Sequence, residues 1–126
     1  MPQLDHIILG SNDVQKSIAF YTDILGFKFD GQREPFSVIR VTPHFVVQLA
    51  PWGTKGGEHL AFSMARAEFD ATFARIRAAG IEYGDSFHAV GNMRGPAEEG
   101  GAEGIGKALY LFDPSRHLIE IRHYEG

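Results

Sequence analysis

Residues 107–124 read KALYLFDPSRHLIEIRHY, and this stretch decides the fold. Two short apolar runs, 108–112 and 118–124, flank Asp113-Pro114-Ser115-Arg116. Pro fixes φ, and Asp and Ser hydrogen-bond their own backbone, so the tetrapeptide is a turn and the stretch a β-hairpin. Side chains alternate along a strand, which puts Ile119 and Ile121 on one face and Leu118, Glu120 and Arg122 on the other. A carboxylate set mid-strand among apolar residues is costly unless it is paired or bound to a cation. The partner that Glu120 requires is the question put to the rest of the chain.

Upstream of the hairpin, 59–64 (HLAFSM) alternates as a strand, with His59, Ala61 and Ser63 on one face. Phe69, Phe73, Ile76 and Ala79 then recur at helical spacing, and Gly80 stands where that helix should stop. With strands at 81–89, 108–112 and 118–124, the second half reads β-α-β-β-β. The first half has the same order. Segment 4–9 (LDHIIL) is a strand with Leu4, His6 and Ile8 on one face, and Ser11, Asn12 and Asp13 are good helix N-caps. Val14, Ile18, Tyr21 and Leu25 mark a helix of about three turns, ended by Gly26, and strands follow at 27–29, 36–41 and 45–50. The last of these sets Val46, Gln48 and Ala50 on a common face.

His59 and Phe73 follow His6 and Phe20 by 53 positions, and Gly80 follows Gly26 by 54, so the chain is a tandem duplication. The offset has grown to 72 between Gln48 and Glu120. The extra length lies mostly in the glycine-rich segment 90–106, VGNMRGPAEEGGAEGIG, which is too long for a simple connection and reads as a functional lid or a disordered segment. Asn92 and Arg94 are its candidate substrate contacts, and Glu98-Glu99 reads as a solvated pair. A module of this size buries too little surface to stand alone. The expectation is therefore one α+β domain, 1–126, in which module one (1–52), a connector (51–57) and module two (58–126) share a core.

The 126 residues are 44% hydrophobic with a net charge of −4, which gives no basic bias towards nucleic acid. No apolar run reaches the ~18 residues needed to span a membrane. The first residues lack the regions of a signal peptide, so a cytoplasmic location is expected. The absence of cysteine removes disulfides, thiolate ligands and cysteine nucleophiles.

The repeat also aligns chemistry. His6 and His59 each sit on the first strand of a module, and Gln48 and Glu120 each on the last. If the modules pair about a pseudo-twofold axis, the four side chains converge. Two imidazoles and a carboxylate form a facial triad that suits Fe(II), and the same set holds Mn(II), Ni(II), Co(II) or Zn(II). His6, His59 and Glu120 are the candidate metal ligands, and Gln48 is either a fourth ligand or a substrate contact. Tyr110, on the strand beside Glu120, is a candidate for touching bound substrate. His44, His88, His117 and His123 read as turn or surface residues.

The chain resembles members of the vicinal oxygen chelate superfamily, which includes glyoxalase I, extradiol dioxygenases, fosfomycin-resistance transferases and bleomycin-resistance proteins. The carriers are LDHIILGSNDVQKSIAFYTDILGF (4–27), GEHLAFSM (57–64) and, most specifically, KALYLFDPSRHLIEI (107–121). The resemblance implies two tandem βαβββ modules forming one open, half-barrel sheet, of the glyoxalase/bleomycin resistance/dihydroxybiphenyl dioxygenase kind, and a homodimer. It also implies His6, His59 and Glu120 as ligands of one divalent ion, Fe(II) or Mn(II) being favoured, with Tyr110 and Glu120 as catalytic residues. The activity implied is Lewis-acid or extradiol-dioxygenase-like chemistry on a small substrate with adjacent oxygens. Glyoxalase I has a glutamate where this chain has Gln48, which leaves a lactoylglutathione-lyase type as the alternative. The other alternative is metal-free sequestration of the bleomycin-resistance type.

Overall fold

A computed structural model describes residues 1–126. The chain is α+β, with strands β1 (His6–Gly10), β2 (Lys28–Arg33), β3 (Phe36–Thr42), β4 (Phe45–Ala50) and β5 (His59–Ser63). These are followed by β6 (Tyr83–Gly84), β7 (Ala97–Gly101), β8 (Gly104–Phe112) and β9 (Leu118–His123). Helix α1 (Val14–Ala19) runs on as a π-helical turn over Phe20–Ile24, and α2 spans Arg66–Ala78. The chain divides into two compact units, Met1–Gly56 with Pro114–Arg116, and Gly57–Asp113 with His117–Gly126. The division falls in the connector, where the sequence repeat restarts.

In the first unit the sheet order is β1-β4-β3-β2, with β1 parallel to β4 and the other pairs antiparallel. Leu9, Ile39, Val47 and Leu49 are buried on one face, together with Phe20, Tyr21 and Leu25 of the helix. Removing each such side chain from water contributes about 1.5–3 kcal/mol. Asp13 is the N-cap among the three candidates, its carboxylate accepting from the Lys16 N–H at 3.1 Å. Gly26 ends the helix at φ 79°, a left-handed conformation that suits glycine.

The second unit has five strands, in the order β5-β9-β8-β6 with β7 also paired to β8. β9 is central, parallel to β5 and antiparallel to β8. Leu109, Leu111, Ile119 and Ile121 are fully buried on the core face, and Phe69 and Ile76 bring α2 into the same core.

Three expectations are corrected here. The segment 90–106 is not a free lid: its second half folds into β7 and extends β8, joined by the two-residue turn Ala102-Glu103 between paired Gly101 and Gly104. Cross-strand pairing with β8, rather than intrinsic propensity, makes a strand of AEEGG. The strand expected over 81–89 shrinks to Tyr83–Gly84, because the chain folds back so tightly that a Cβ on Gly84 would lie 2.1 Å from the Ala89 carbonyl oxygen. His117 and His123 are buried, not surface residues. His117 Nδ1 accepts from the Glu58 N–H at 3.3 Å, and His123 meets the Phe69 ring edge-on at 4.9 Å.

Candidate functional site

Register places the chemistry of the second unit on one sheet face. Ala61 and Tyr110 both stand opposite Glu120, His59 opposite Leu118, and Ala108 opposite Arg122. The imidazole of His59 reaches Glu120, with Nε2 3.0 Å from Oε1. His59 keeps its side chain about half exposed, whereas that of Glu120 is 7% exposed. The other carboxylate oxygen, Oε2, accepts from Arg122 Nη1 at 2.6 Å. The buried carboxylate thus finds its counter-charge two residues along its own strand, where the sequence reading looked to a bound cation.

Arg122 is itself buried. Its Nη2 donates to the Glu99 carbonyl at 2.8 Å and Nη1 reaches the Gly100 carbonyl at 3.4 Å, while Nε–H has no partner. The Tyr124 ring lies 4.8 Å from the guanidinium carbon, within cation–π range. A cleft of about 310 Å³ opens on this face, lined among others by Ser63, Gly101, Glu103, Glu120 and Arg122.

Tyr110 is buried and its hydroxyl donates to Glu99 Oε2 at 2.5 Å. Burial first, then the Glu99 carboxylate and the nearby charge of Glu120, push the phenol pKa well above its ordinary value. The phenol therefore keeps its single proton and donates it to Glu99, and what Tyr110 offers to a ligand is its oxygen lone pairs. Glu99, read from sequence as solvated, is half-buried and part of this cluster. The GG-x-x-G spacing of 100–104, a hairpin turn, was the signal that would have set it on this face.

In the first unit, His6 Nδ1–H donates to Asp5 Oδ2 at 2.7 Å. An ionised carboxylate can only accept, so in the neutral ring this bond puts the proton on Nδ1 and the lone pair on Nε2. Gln48 is half-buried, stands opposite Ile8 and Val38, and lines a cleft of about 370 Å³ with Arg33, Arg40 and His44. Asn92 is spent on its own loop: Nδ2 donates to Asp85 Oδ1 at 2.7 Å and Oδ1 accepts from the Arg94 N–H at 2.9 Å. The Arg94 side chain is exposed. The structure thus joins His59, Glu120, Tyr110, Glu99 and Arg122. Within neither unit does a third histidine or carboxylate complete a three-ligand cluster. The donor set of imidazole and carboxylate fits a divalent first-row ion.

Residues 3–121 match the family model described as Glyoxalase/Bleomycin resistance protein/Dioxygenase superfamily. The virulence protein STM3117 of Salmonella typhimurium is 28% identical, across 97% of this chain and 84% of its own. The structure of oxidase ChaP-H2 superposes with a TM-score of 0.81 at 28% identity, covering 98% of this chain and 94% of that one. The fosfomycin resistance protein FosX of Listeria monocytogenes shares the fold, with a TM-score of 0.70 at 21% identity over 98% of this chain and 93% of its own.

Proposed function

The chain belongs to the Glyoxalase/Bleomycin resistance protein/Dioxygenase superfamily, and from that premise we propose that it is a divalent-metal-dependent enzyme acting on a small substrate with adjacent oxygens. The observation that carries this reading is the His59–Glu120 pair, two donor atoms 3.0 Å apart on neighbouring strands. His6 is the third proposed ligand, on its matched position in the repeat and on the Asp5 hydrogen bond that leaves Nε2 free. A bound Fe(II) or Mn(II) would supply Lewis-acid polarisation of the substrate oxygens.

The chain's own residues do the rest. Glu120 is held by Arg122 so that Oε1 faces the imidazole. Tyr110, its proton committed to Glu99, receives a substrate hydroxyl and orients it. Gln48 contacts substrate through its amide. The chemistry favoured is extradiol-dioxygenase-like or simple Lewis-acid catalysis, because the neutral amide of Gln48 is too weakly basic to take up a proton. Glu99 favours the second reading, a glyoxalase-like lyase, since it places a carboxylate behind Tyr110 that could take up a proton. The active form is proposed to be a homodimer.

The test is metal analysis of protein purified without chelator, followed by anaerobic reconstitution with Fe(II) and measurement of oxygen uptake with catechol. One bound equivalent and metal-dependent turnover support the proposal; protein that neither retains nor takes up a divalent ion overturns it.

A further inference from the structure

We propose that Arg122 is a positioning residue for Glu120 and that Gly101 exists as glycine to make room for it. The inference rests on the metal-ligand reading of Glu120 and deepens it. The guanidinium is buried and divides its donors between the carboxylate, at 2.6 Å, and the main-chain carbonyls of Glu99 and Gly100 on β7. It therefore ties the carboxylate to a fixed frame, holding Oε2 so that Oε1 is the oxygen presented to His59 Nε2.

Gly101 is where this frame would fail. A Cβ there would lie 2.3 Å from Arg122 Cζ, 2.4 Å from the Tyr124 hydroxyl oxygen and 2.6 Å from Arg122 Nη2, distances that force the guanidinium and the phenol stacked on it to move. At the adjacent Gly100 a Cβ meets nothing within 4 Å. Neither glycine has a left-handed φ, so the backbone tolerates alanine at both, and what separates them is contact with the Arg122 guanidinium and with the Tyr124 hydroxyl that lies beside it. The sign of the effect separates orientation from charge. A guanidinium repels a divalent ion, so a residue acting only as counter-charge should weaken metal binding by its presence. A residue that orients a ligand should strengthen it, and losing such an outer contact typically costs about 10–100-fold in affinity.

The experiment is calorimetric titration of the metal-free protein with Mn(II) and Ni(II). It compares wild type with Arg122→Gln, Arg122→Lys, Gly101→Ala and Gly100→Ala, each checked for folding by circular dichroism. We expect about 10–100-fold weaker binding in Arg122→Gln and in Gly101→Ala, which keeps the charge, and unchanged binding in Gly100→Ala. If Arg122→Gln fails to fold, Gly101→Ala and Arg122→Lys carry the comparison. Wild type that binds metal while the folded variants bind equally or more tightly overturns this inference alone. Wild type that binds neither ion overturns it together with the metal-ligand reading.

Discussion

His59 Nε2 and Glu120 Oε1 lie 3.0 Å apart, yet the imidazole is about half exposed and the carboxylate is buried. That asymmetry separates binding from stability. Loss of the imidazole removes a proposed ligand and little packing. Loss of the carboxylate also strands a buried guanidinium, since Arg122 is only 3% exposed. His59→Ala should retain wild-type stability within about 0.5 kcal/mol while losing divalent metal. Glu120→Ala should lose the metal and about 3–5 kcal/mol of stability. Urea denaturation beside metal analysis checks both. Equal stability losses in the two variants would contradict the pairing.

The hairpin turn makes a second prediction. Asp113 is buried, its carboxylate accepts from the His117 N–H at 2.9 Å, and its own N–H donates to the His117 carbonyl at 2.9 Å. Asp113→Ala leaves the His117 amide without its charged acceptor in a buried turn. The expected cost is about 1.5–3 kcal/mol, read as a lower urea midpoint at unchanged slope. Asp113→Asn, which keeps an acceptor oxygen, should recover part of it.

Most of the fold was legible because its signals are local. Period-two alternation marked 45–50 and 118–124, Gly26 and Gly80 closed the helices, and the equal offset of the histidines and of Phe20 and Phe73 gave the duplication. What stayed hidden was decided by pairing. Nothing in Ala97-Glu98-Glu99-Gly100-Gly101 favours a strand, and β8 supplies the reason it forms one. Glu99 was misplaced with it. Alternation had already set Arg122 on the face of Glu120, but not its pairing with that carboxylate, nor its hold on the β7 carbonyls, which depends on a strand the sequence did not announce. His123 is buried because alternation carries it onto the face of Ile119 and Ile121, and His117 because it closes the hairpin turn onto Asp113.

Tyr110 gives a pH dependence. Its pKa is raised in the fold by burial and by Glu99, so the neutral phenol is the form that the fold favours. Below the unfolded tyrosine value of about 10 its contribution is fully present. Above that value the unfolded chain releases the proton and the folded chain holds it, so stability falls as pH rises. The wild type should lose stability more steeply than Tyr110→Phe between about pH 10 and 12. Denaturant midpoints at pH 9, 10.5 and 11.5 give the two slopes, and parallel slopes would contradict the raised pKa of Tyr110.

The choice between oxygen chemistry and a lyase turns on which carboxylate can move a proton. A lyase needs a protein base close to the reacting carbon, and an amide at position 48 cannot serve. Glu99 is the remaining candidate, but its carboxylate already accepts from Tyr110 at 2.5 Å. Using it as a base would pass the proton through the phenol that already donates to it. An extradiol-type reaction asks less of this pair: Tyr110 need only receive and orient a substrate hydroxyl. Gln48→Glu should therefore raise isomerisation of glutathione hemithioacetals in Ni(II)-loaded protein above a low wild-type level. Glu99→Gln should slow oxygen uptake with Fe(II) and catechol by about 10-fold or less, as expected when a positioning contact and not the base is lost. Efficient hemithioacetal isomerisation by the wild type, abolished by Glu99→Gln and unaccompanied by oxygen uptake, would reverse the assignment and make Glu99 the base of a lyase.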